Sequence, residues 1–277
     1  MADNIIHIDD FCEDVKVYKN LNEAMLYHFF EPDEGLFMAE SMKVIERALH
    51  RGYEPLSVLV DADKEKSSEF EALSFMLPNI PIYVLPHERM IEITGINLTG
   101  GIISAFRRKK EDNLSGILKL KKIVILERVV NPSNIGAIFR SAAAFNIDGI
   151  ILKKGCCDPY TRRAIRVSMG NVFNIPWGYF EGDDTTVNEH DFALLHENNY
   201  KTIAMALKSD SIKLSDERLK KNEKIAIFLG NEGDGLSDNV VNSVDYKVII
   251  PMAHEVDSLN VAAASAVAFW ELARKQK

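Results

Sequence analysis

Short apolar runs, four to six residues long, recur through the second half of the chain at 122–127, 149–152, 202–206, 225–229 and 246–250. They are largely β-branched or aliphatic at consecutive positions, the pattern of a strand buried on both faces of a sheet. Between and after them, apolar positions return at helical spacing over 135–145, 158–168, 189–197, 236–242 and 259–274. Strands alternating with helices predict parallel strands joined by crossovers, an α/β fold with a parallel sheet.

The first third alternates less regularly. Helical spacing covers 21–30 and 41–50, the latter with Ser41 placed to cap it, and strand-like runs occupy 36–39, 55–60, 81–85 and 100–106. A smaller α/β unit is expected here. From 107 to 115 the chain turns charged and polar, with Glu111, Asp112, Asn113 and a Ser115-Gly116 pair, which reads as a linker. A boundary near Asn113 gives two domains, 1–113 and 114–277. No internal repeat or low-complexity tract is visible.

Composition narrows the class. Of the 277 residues, 47% are hydrophobic, enough for full-sized cores. The opening residues are acidic rather than apolar, unlike a signal peptide, and no run reaches the roughly 20 apolar residues of a membrane helix. A soluble, cytoplasmic protein is expected. Cys12, Cys156 and Cys157 form neither a disulfide framework nor a metal spacing, and the scattered histidines suggest no metal site. Buried thiols at a strand end are the plainer reading of the Cys156-Cys157 pair, with a redox or soft-metal role as the rival.

A net charge of −8 argues against indiscriminate nucleic-acid binding. The cations are nonetheless bunched at Arg107-Arg108-Lys109-Lys110, Lys119 with Lys121-Lys122, Lys153-Lys154, Arg162-Arg163 with Arg166, and Arg218 with Lys220-Lys221. Any one cluster reads as solvated surface; a local basic track on an acidic protein is the alternative.

Three segments carry candidate chemistry, each where an apolar run gives way to a polar turn. In open α/β sheets ligands sit at the carboxyl ends of strands. The first is Asn131-Pro132-Ser133-Asn134-Ile135-Gly136-Ala137-Ile138-Phe139-Arg140. Pro132 with Ser133 or Asn134 starts a helix on which Gly136 and Arg140 share a face. That places a bare backbone beside a guanidinium suited to phosphate, or else a tight helix contact beside a surface ion pair. The second, Leu229-Gly230-Asn231-Glu232-Gly233-Asp234-Gly235-Leu236-Ser237, surrounds one central carboxylate, Glu232, with glycines that permit close approach. The third runs from Ile249-Ile250-Pro251-Met252 to Ser258-Leu259-Asn260-Val261, where Pro251 stops a strand and Ser258 and Asn260 open a helix. Arg274, Lys275 and Lys277 suit the negative pole of that helix. A P-loop, a G-x-G-x-x-G fingerprint and an EF-hand are all absent.

In this order the segments resemble the SpoU branch of the SPOUT RNA methyltransferases, whose signatures are N-x-G-x-x-x-R, a G-N-E-G-x-G-L turn, and I-P-M followed by S-L-N-V. Asp158-Pro159-Tyr160 and Arg166-Val167-Ser168-Met169-Gly170 are similar to the middle section of that family. More weakly, Glu40-Ser41-Met42-Lys43-Val44-Ile45-Glu46 and Leu98-Thr99-Gly100-Gly101-Ile102 resemble the small RNA substrate-binding domain that many members carry.

The resemblance implies a deep trefoil knot near the C-terminal end, a homodimer, and methyl transfer from S-adenosylmethionine to a ribose 2′-hydroxyl of tRNA or ribosomal RNA. It implies a cofactor held around Leu229, Gly230, Ile250, Met252 and Leu259, and catalytic roles for Asn134, Arg140, Glu232, Ser258 and Asn260. One departure stands out: His254 occupies a loop position where the family usually has glycine. The competing class is a non-catalytic RNA-binding or assembly factor that kept the fold.

Overall fold

The computed structural model describes residues 4–21, 23–28, 35–208, 210–231, 233–254 and 258–273. Contacts divide the chain into two units, Met1–Lys110 with Tyr160–Phe173, and Glu111–Pro159 with Asn174–Lys277.

The first unit is built on a five-stranded sheet of β1 (Ile5–His7), β2 (Leu36–Glu40), β3 (Pro55–Asp61), β4 (Ile82–Leu85) and β5 (Ile102–Arg107). Their order is β1-β4-β3-β5-β2, parallel through β1, β4 and β3 and antiparallel where β5 joins β3 and β2. Helices Ser68–Met76 and His87–Thr94 had no signal in the hydrophobic pattern. Phe70 and Leu73 are buried in the first while Phe75 is 87% exposed, so its apolar residues do not share one face. The expected helix at 21–30 is described only as Glu23–Tyr27. Ser41 does stand at the start of Met42–His50, but its side chain makes no capping hydrogen bond and its φ is +74°.

A single cut near Asn113 does not describe this division. Asp112 belongs with the second sheet, its backbone N–H donating to the Trp177 carbonyl (2.9 Å) and its carboxylate accepting from the Trp177 N–H (3.0 Å). Residues Tyr160–Phe173, expected in the second domain, pack into the first unit. Their helix, Arg162–Val167, lies on β2, and the Tyr160 ring stacks on Phe37 with centroids 5.4 Å apart. Sequence periodicity is blind to such an excursion because burying Phe37 is a long-range event.

The second unit carries β6 (Lys122–Leu126), β7 (Gly149–Leu152), β8 (Trp177–Tyr179), β9 (Lys201–Met205), β10 (Ile212–Lys213), β11 (Ile225–Leu229) and β12 (Tyr246–Ile249). They form one sheet of order β10-β12-β9-β11-β6-β7-β8 in which every pairing is parallel. The five apolar runs became five of these strands within a residue or two. The two that the pattern missed, β8 and β10, are short edge strands. From β6 the chain steps outward to β7 and β8, then crosses to the other side to build β9, β11 and β12. The order therefore reverses between β6 and β11, the kind of crevice in which such sheets bind ligands.

Helix Pro132–Ala144 packs against the last described helix, Val261–Ala273. The expected counter-charges for the end of that last helix, Arg274, Lys275 and Lys277, lie outside the described residues. Lys122 of β6 reaches it instead, its ammonium donating to the carbonyls of Leu272 (3.1 Å) and Ala273 (3.3 Å). No helix among the described residues is long and apolar enough to cross a membrane.

Candidate functional site

The turns that follow β6, β11 and β12 open at the carboxyl end of one sheet. The β6 turn starts with two residues that the sequence reading passed over. Glu127 is fully buried, and its carboxylate accepts from the backbone N–H of Val187 (2.9 Å), the N–H of Ser237 (2.8 Å) and the Ser237 hydroxyl (3.1 Å). It thereby ties the end of β6 to the end of the glycine-rich turn. Arg128 has a left-handed φ of +55°, a conformation that costs a non-glycine residue about 1–2 kcal/mol. Its guanidinium lies 3.4 Å from the Gly235 carbonyl, with Glu127 and Asp234 at 3.9 and 4.0 Å. A Glu-Arg pair ending an apolar run was the available signal, since a strand buried on both faces has no ordinary use for two charges.

Asn131 caps the helix that follows, its side chain accepting from the Ser133 N–H (2.8 Å) with Pro132 in the first turn. The cap is thus two or three residues earlier than expected, because Pro132 needs no partner for a missing N–H. Asn134 is left free to face inward. It is buried, its Oδ1 accepts from Nδ2 of Asn260 (3.2 Å), and its own Nδ2 meets no acceptor among the described residues. Gly136 is buried in the same helix, whereas Arg140 is exposed and pairs with no described residue.

The β11 turn doubles back sharply. Gly235 N–H donates to the Asn231 carbonyl (3.0 Å), and Gly233 N–H to the Asn231 side chain (2.7 Å). A Cβ on Gly230 would stand 2.5 Å from the Gly235 backbone, so only glycine fits. Gly235 is the glycine of this turn that uses positive φ, at +69°. Glu232, the expected central carboxylate, lies outside the described residues.

After β12, Ile250 and Pro251 lead to Met252 and Leu259, both more than a third exposed. Asn260 starts the final helix, its side chain accepting from the Ala262 N–H (2.9 Å) and its carbonyl from Ala264 (2.9 Å). His254 takes a left-handed φ of +56°, the conformation a glycine adopts freely. Its side chain is exposed and lines neither hollow described below.

The β11 turn and the segment that opens the last helix enclose, with the end of β9, a cavity of ≈ 350 Å³. Leu229, Gly230, Ser258 and Leu259 are in its wall. A smaller hollow of ≈ 130 Å³ beside it is lined by Ile250, Met252, Ser258 and Leu259. All five residues expected to hold a cofactor, and Ser258, therefore border adjoining spaces. The Asn134–Asn260 pair links the first segment to the third. Small-molecule sites span roughly 300–1,000 Å³ with apolar walls and a few fixed polar groups, and the larger space qualifies. Its apolar wall includes Met205, Leu207 and Leu236, and its polar residues include Lys208, Asn231, Asp234 and Ser258.

The vicinal cysteines brace this edge. Cys156 Sγ donates to the Leu126 carbonyl (3.3 Å) and Cys157 N–H to the Val129 carbonyl (2.9 Å). Burial pushes the Cys156 thiol up to about 11, so it stays protonated and unreactive near neutrality.

The sequence profile of the SpoU rRNA methylase family matches residues 121–270, a span that contains all three segments. The chain belongs to this family. Among its SpoU-related relatives, an uncharacterised tRNA/rRNA methyltransferase of Mycobacterium bovis is 30% identical over 93% of this chain and 87% of its own length. The 23S rRNA (guanosine(2553)-2′-O)-methyltransferase RlmP of Bacillus subtilis is 23% identical over 85% of this chain and 88% of its own. In fold, the chain is similar to an AdoMet-bound rRNA methyltransferase from Sinorhizobium meliloti (TM-score 0.75, 22% identity, 97% of both chains). It is equally similar to the SpoU methyltransferase AviRb from Streptomyces viridochromogenes, with TM-score 0.76, 20% identity, and 94% and 95% of the two chains covered.

Proposed function

We propose that this SpoU-family chain methylates a ribose 2′-hydroxyl of ribosomal or transfer RNA, with S-adenosylmethionine as donor. The observation that carries the reading is the meeting of the second and third signature segments around adjoining cavities at the carboxyl end of the sheet, with the Asn134–Asn260 hydrogen bond tying the first segment to the third. A relative named for 2′-O-methylation of 23S rRNA, matched over most of both chains, supports the ribose as acceptor.

The residues present fit the donor. Gly230 lets the turn close tightly on the Gly235 backbone and so shapes the cavity wall, and Leu229, Ile250, Met252 and Leu259 offer backbone groups and apolar contact. When bound, S-adenosylmethionine supplies an electrophilic methyl group on a sulfonium. The chain's own work is placement, worth roughly 7–11 kcal/mol when two reactants are correctly held. Asn134, with an amide N–H awaiting an acceptor, and its partner Asn260 orient the sugar, together with Ser258 and Glu232. Arg140 grips the phosphate next to the target ribose with its guanidinium and lowers the cost of removing the hydroxyl proton. A phosphate oxygen or water receives that proton.

The active form is a homodimer joined through the helices Pro132–Ala144 and Val261–Ala273, where Val267 and Trp270 are exposed, with Arg140 acting at or across the junction. The family's trefoil knot and a supporting RNA-binding role for the first unit complete the reading.

Calorimetry with S-adenosylmethionine and mapping of alkali-resistant positions in ribosomal RNA after incubation test it. Saturable donor binding and 2′-O-methyl marks are expected. Arg140→Lys is expected to lower kcat about a hundredfold while leaving donor affinity unchanged. Donor binding with no RNA methylation would favour the non-catalytic factor.

A further inference from the structure

Arg128 holds an unfavourable backbone just past the end of β6. Its left-handed φ of +55° is shared by Asn20, Asn146 and Asn199, but asparagine tolerates that region far better than a long side chain does. What the strain secures lies distant in sequence, at the glycine-rich turn. The Arg128 side chain is 30% exposed, and its Nε is buried without an acceptor among the described residues. Its Nη2 donates to the Gly235 carbonyl at 3.4 Å and lies 3.9 Å from the Glu127 carboxylate, while its Nη1 lies 4.0 Å from that of Asp234. A partly desolvated charge therefore rests on acceptors of one turn.

That turn needs a hold from outside itself. Glycine has the widest backbone freedom of any residue, and Gly230, Gly233 and Gly235 all fall within it. The hydrogen bonds from the Gly233 and Gly235 N–H groups both end on Asn231, so they fold the turn on itself without fixing it to the sheet. Two neighbours at the end of β6 supply the fixing. Glu127 holds Ser237 just beyond the turn, and Arg128 holds Gly235 within it. Asn231, Gly233, Asp234 and Gly235 line the larger cavity, whereas Arg128 lines neither hollow. Its influence on a bound molecule must pass through the turn.

We propose that Arg128 is a positioning residue for the methyl donor, its guanidinium fixing the turn from Asn231 to Gly235 in the shape that closes the donor cavity. The proposal rests on the reading of that cavity as the S-adenosylmethionine site. Strained residues persist where the surrounding structure over-determines them, and they gather at ligand clamps. Here stability is given up at one backbone position so that a loose turn has one shape when the donor arrives. A turn that holds the competent shape for only a fraction of the time weakens apparent affinity by that fraction.

Arg128→Gly separates stability from binding, because it relieves the backbone while removing the guanidinium. The full chain, without RNA, is melted alone and titrated with S-adenosylmethionine by calorimetry. The glycine variant is expected to melt at or above the wild-type temperature yet bind the donor about tenfold more weakly. Arg128→Lys keeps the charge and the strained backbone but not the planar fork, and should recover part of the affinity. Asn146→Gly, which relieves an exposed left-handed residue just past helix Pro132–Ala144, should leave donor affinity unchanged. Unaltered binding by Arg128→Gly overturns the proposal. So does tighter binding, the sign expected if the guanidinium merely repelled the sulfonium. A lowered melting temperature with equal affinity losses in the Gly and Lys variants leaves only a structural role and also overturns it. Should the glycine variant fail to melt cooperatively, Arg128→Asn takes its place with the same affinity loss expected. Wild-type protein that binds no donor would remove the cofactor reading itself, a result distinct from wild type and variant binding alike.

Discussion

At single residues, the site is held by contacts as much as by reactive groups. Gly230 is the sharpest case, since a methyl at its Cβ would overlap the Gly235 backbone. Gly230→Ala should open the turn, cost about 1–3 kcal/mol in denaturant melts and weaken S-adenosylmethionine binding at least tenfold by calorimetry. Glu127→Gln probes the buried brace. With its amide nitrogen replacing the oxygen that accepts from Val187 N–H, one buried donor is orphaned, while the Ser237 hydroxyl can rotate to accept. A loss of about 1–3 kcal/mol is expected in melts, with native stability retained by Glu127→Asp only if the shorter side chain still spans both partners. Residue legibility follows from where the signal lies. Asn134 and Asn260 were readable because each lies at the start of a helix that follows a strand, and the structure sets their side chains 3.2 Å apart. Arg128 and Glu127 were overlooked because they end an apolar run, and their value depends on Ser237 and Gly235, distant in sequence. His254 shows the reverse: its left-handed backbone preserves a glycine-like turn while the side chain points to solvent, so the departure leaves the cavity wall unaltered.

At the scale of elements, strand ends are joined to helices by polar links whose loss should be conspicuous. Lys153, just past β7, and Asp191 of helix Glu189–Glu197 form an ion pair at 2.9 Å, both nearly inaccessible. The same carboxylate oxygen accepts from the Asn188 N–H in a reciprocal capping box, and the Lys153 ammonium lies 5.6 Å from the Phe180 ring. Asp191→Ala removes both the cap and the counter-charge, leaving a buried ammonium. A loss of about 3–5 kcal/mol is expected in urea melts, and replacing Lys153 by Met in the same chain should restore part of it. Nothing in the Lys153-Lys154 pair of the sequence distinguished this buried cation from its exposed neighbour. The Lys153 side chain turns inward to Asp191, whereas Lys154 is exposed, a difference set by the partner available to the first. Helix positions were legible wherever apolar residues kept one face, as over Glu189–Glu197. They were illegible in Ser68–Met76, where Phe75 points to water.

For the whole molecule, assembly has a direct readout. The proposed dimer would cover Trp270, which is 49% exposed and packs its ring edge-on against Phe145 at 5.6 Å. Sedimentation is expected to give twice the 31.2 kDa chain mass for the native protein and a single-chain mass for Trp270→Glu. Methyl transfer should fall in parallel, because Arg140 would lose its junction. A native protein that sediments as one chain while methylating RNA would remove the dimer from the mechanism. By itself the sequence determined the parallel α/β character, the positions of the buried strands and the chemistry of the turns that leave them. Those properties depend on local periodicity and on the conformational limits of Gly, Pro and Asn, which act within a few residues. Tertiary structure alone decided that β11 lies between β9 and β6, that the segments following β9, β11 and β12 share a cavity, and that Tyr160–Phe173 joins the first unit. Strand order and segment placement are set by which apolar faces can be buried together, and that choice leaves no mark in the spacing of any one element.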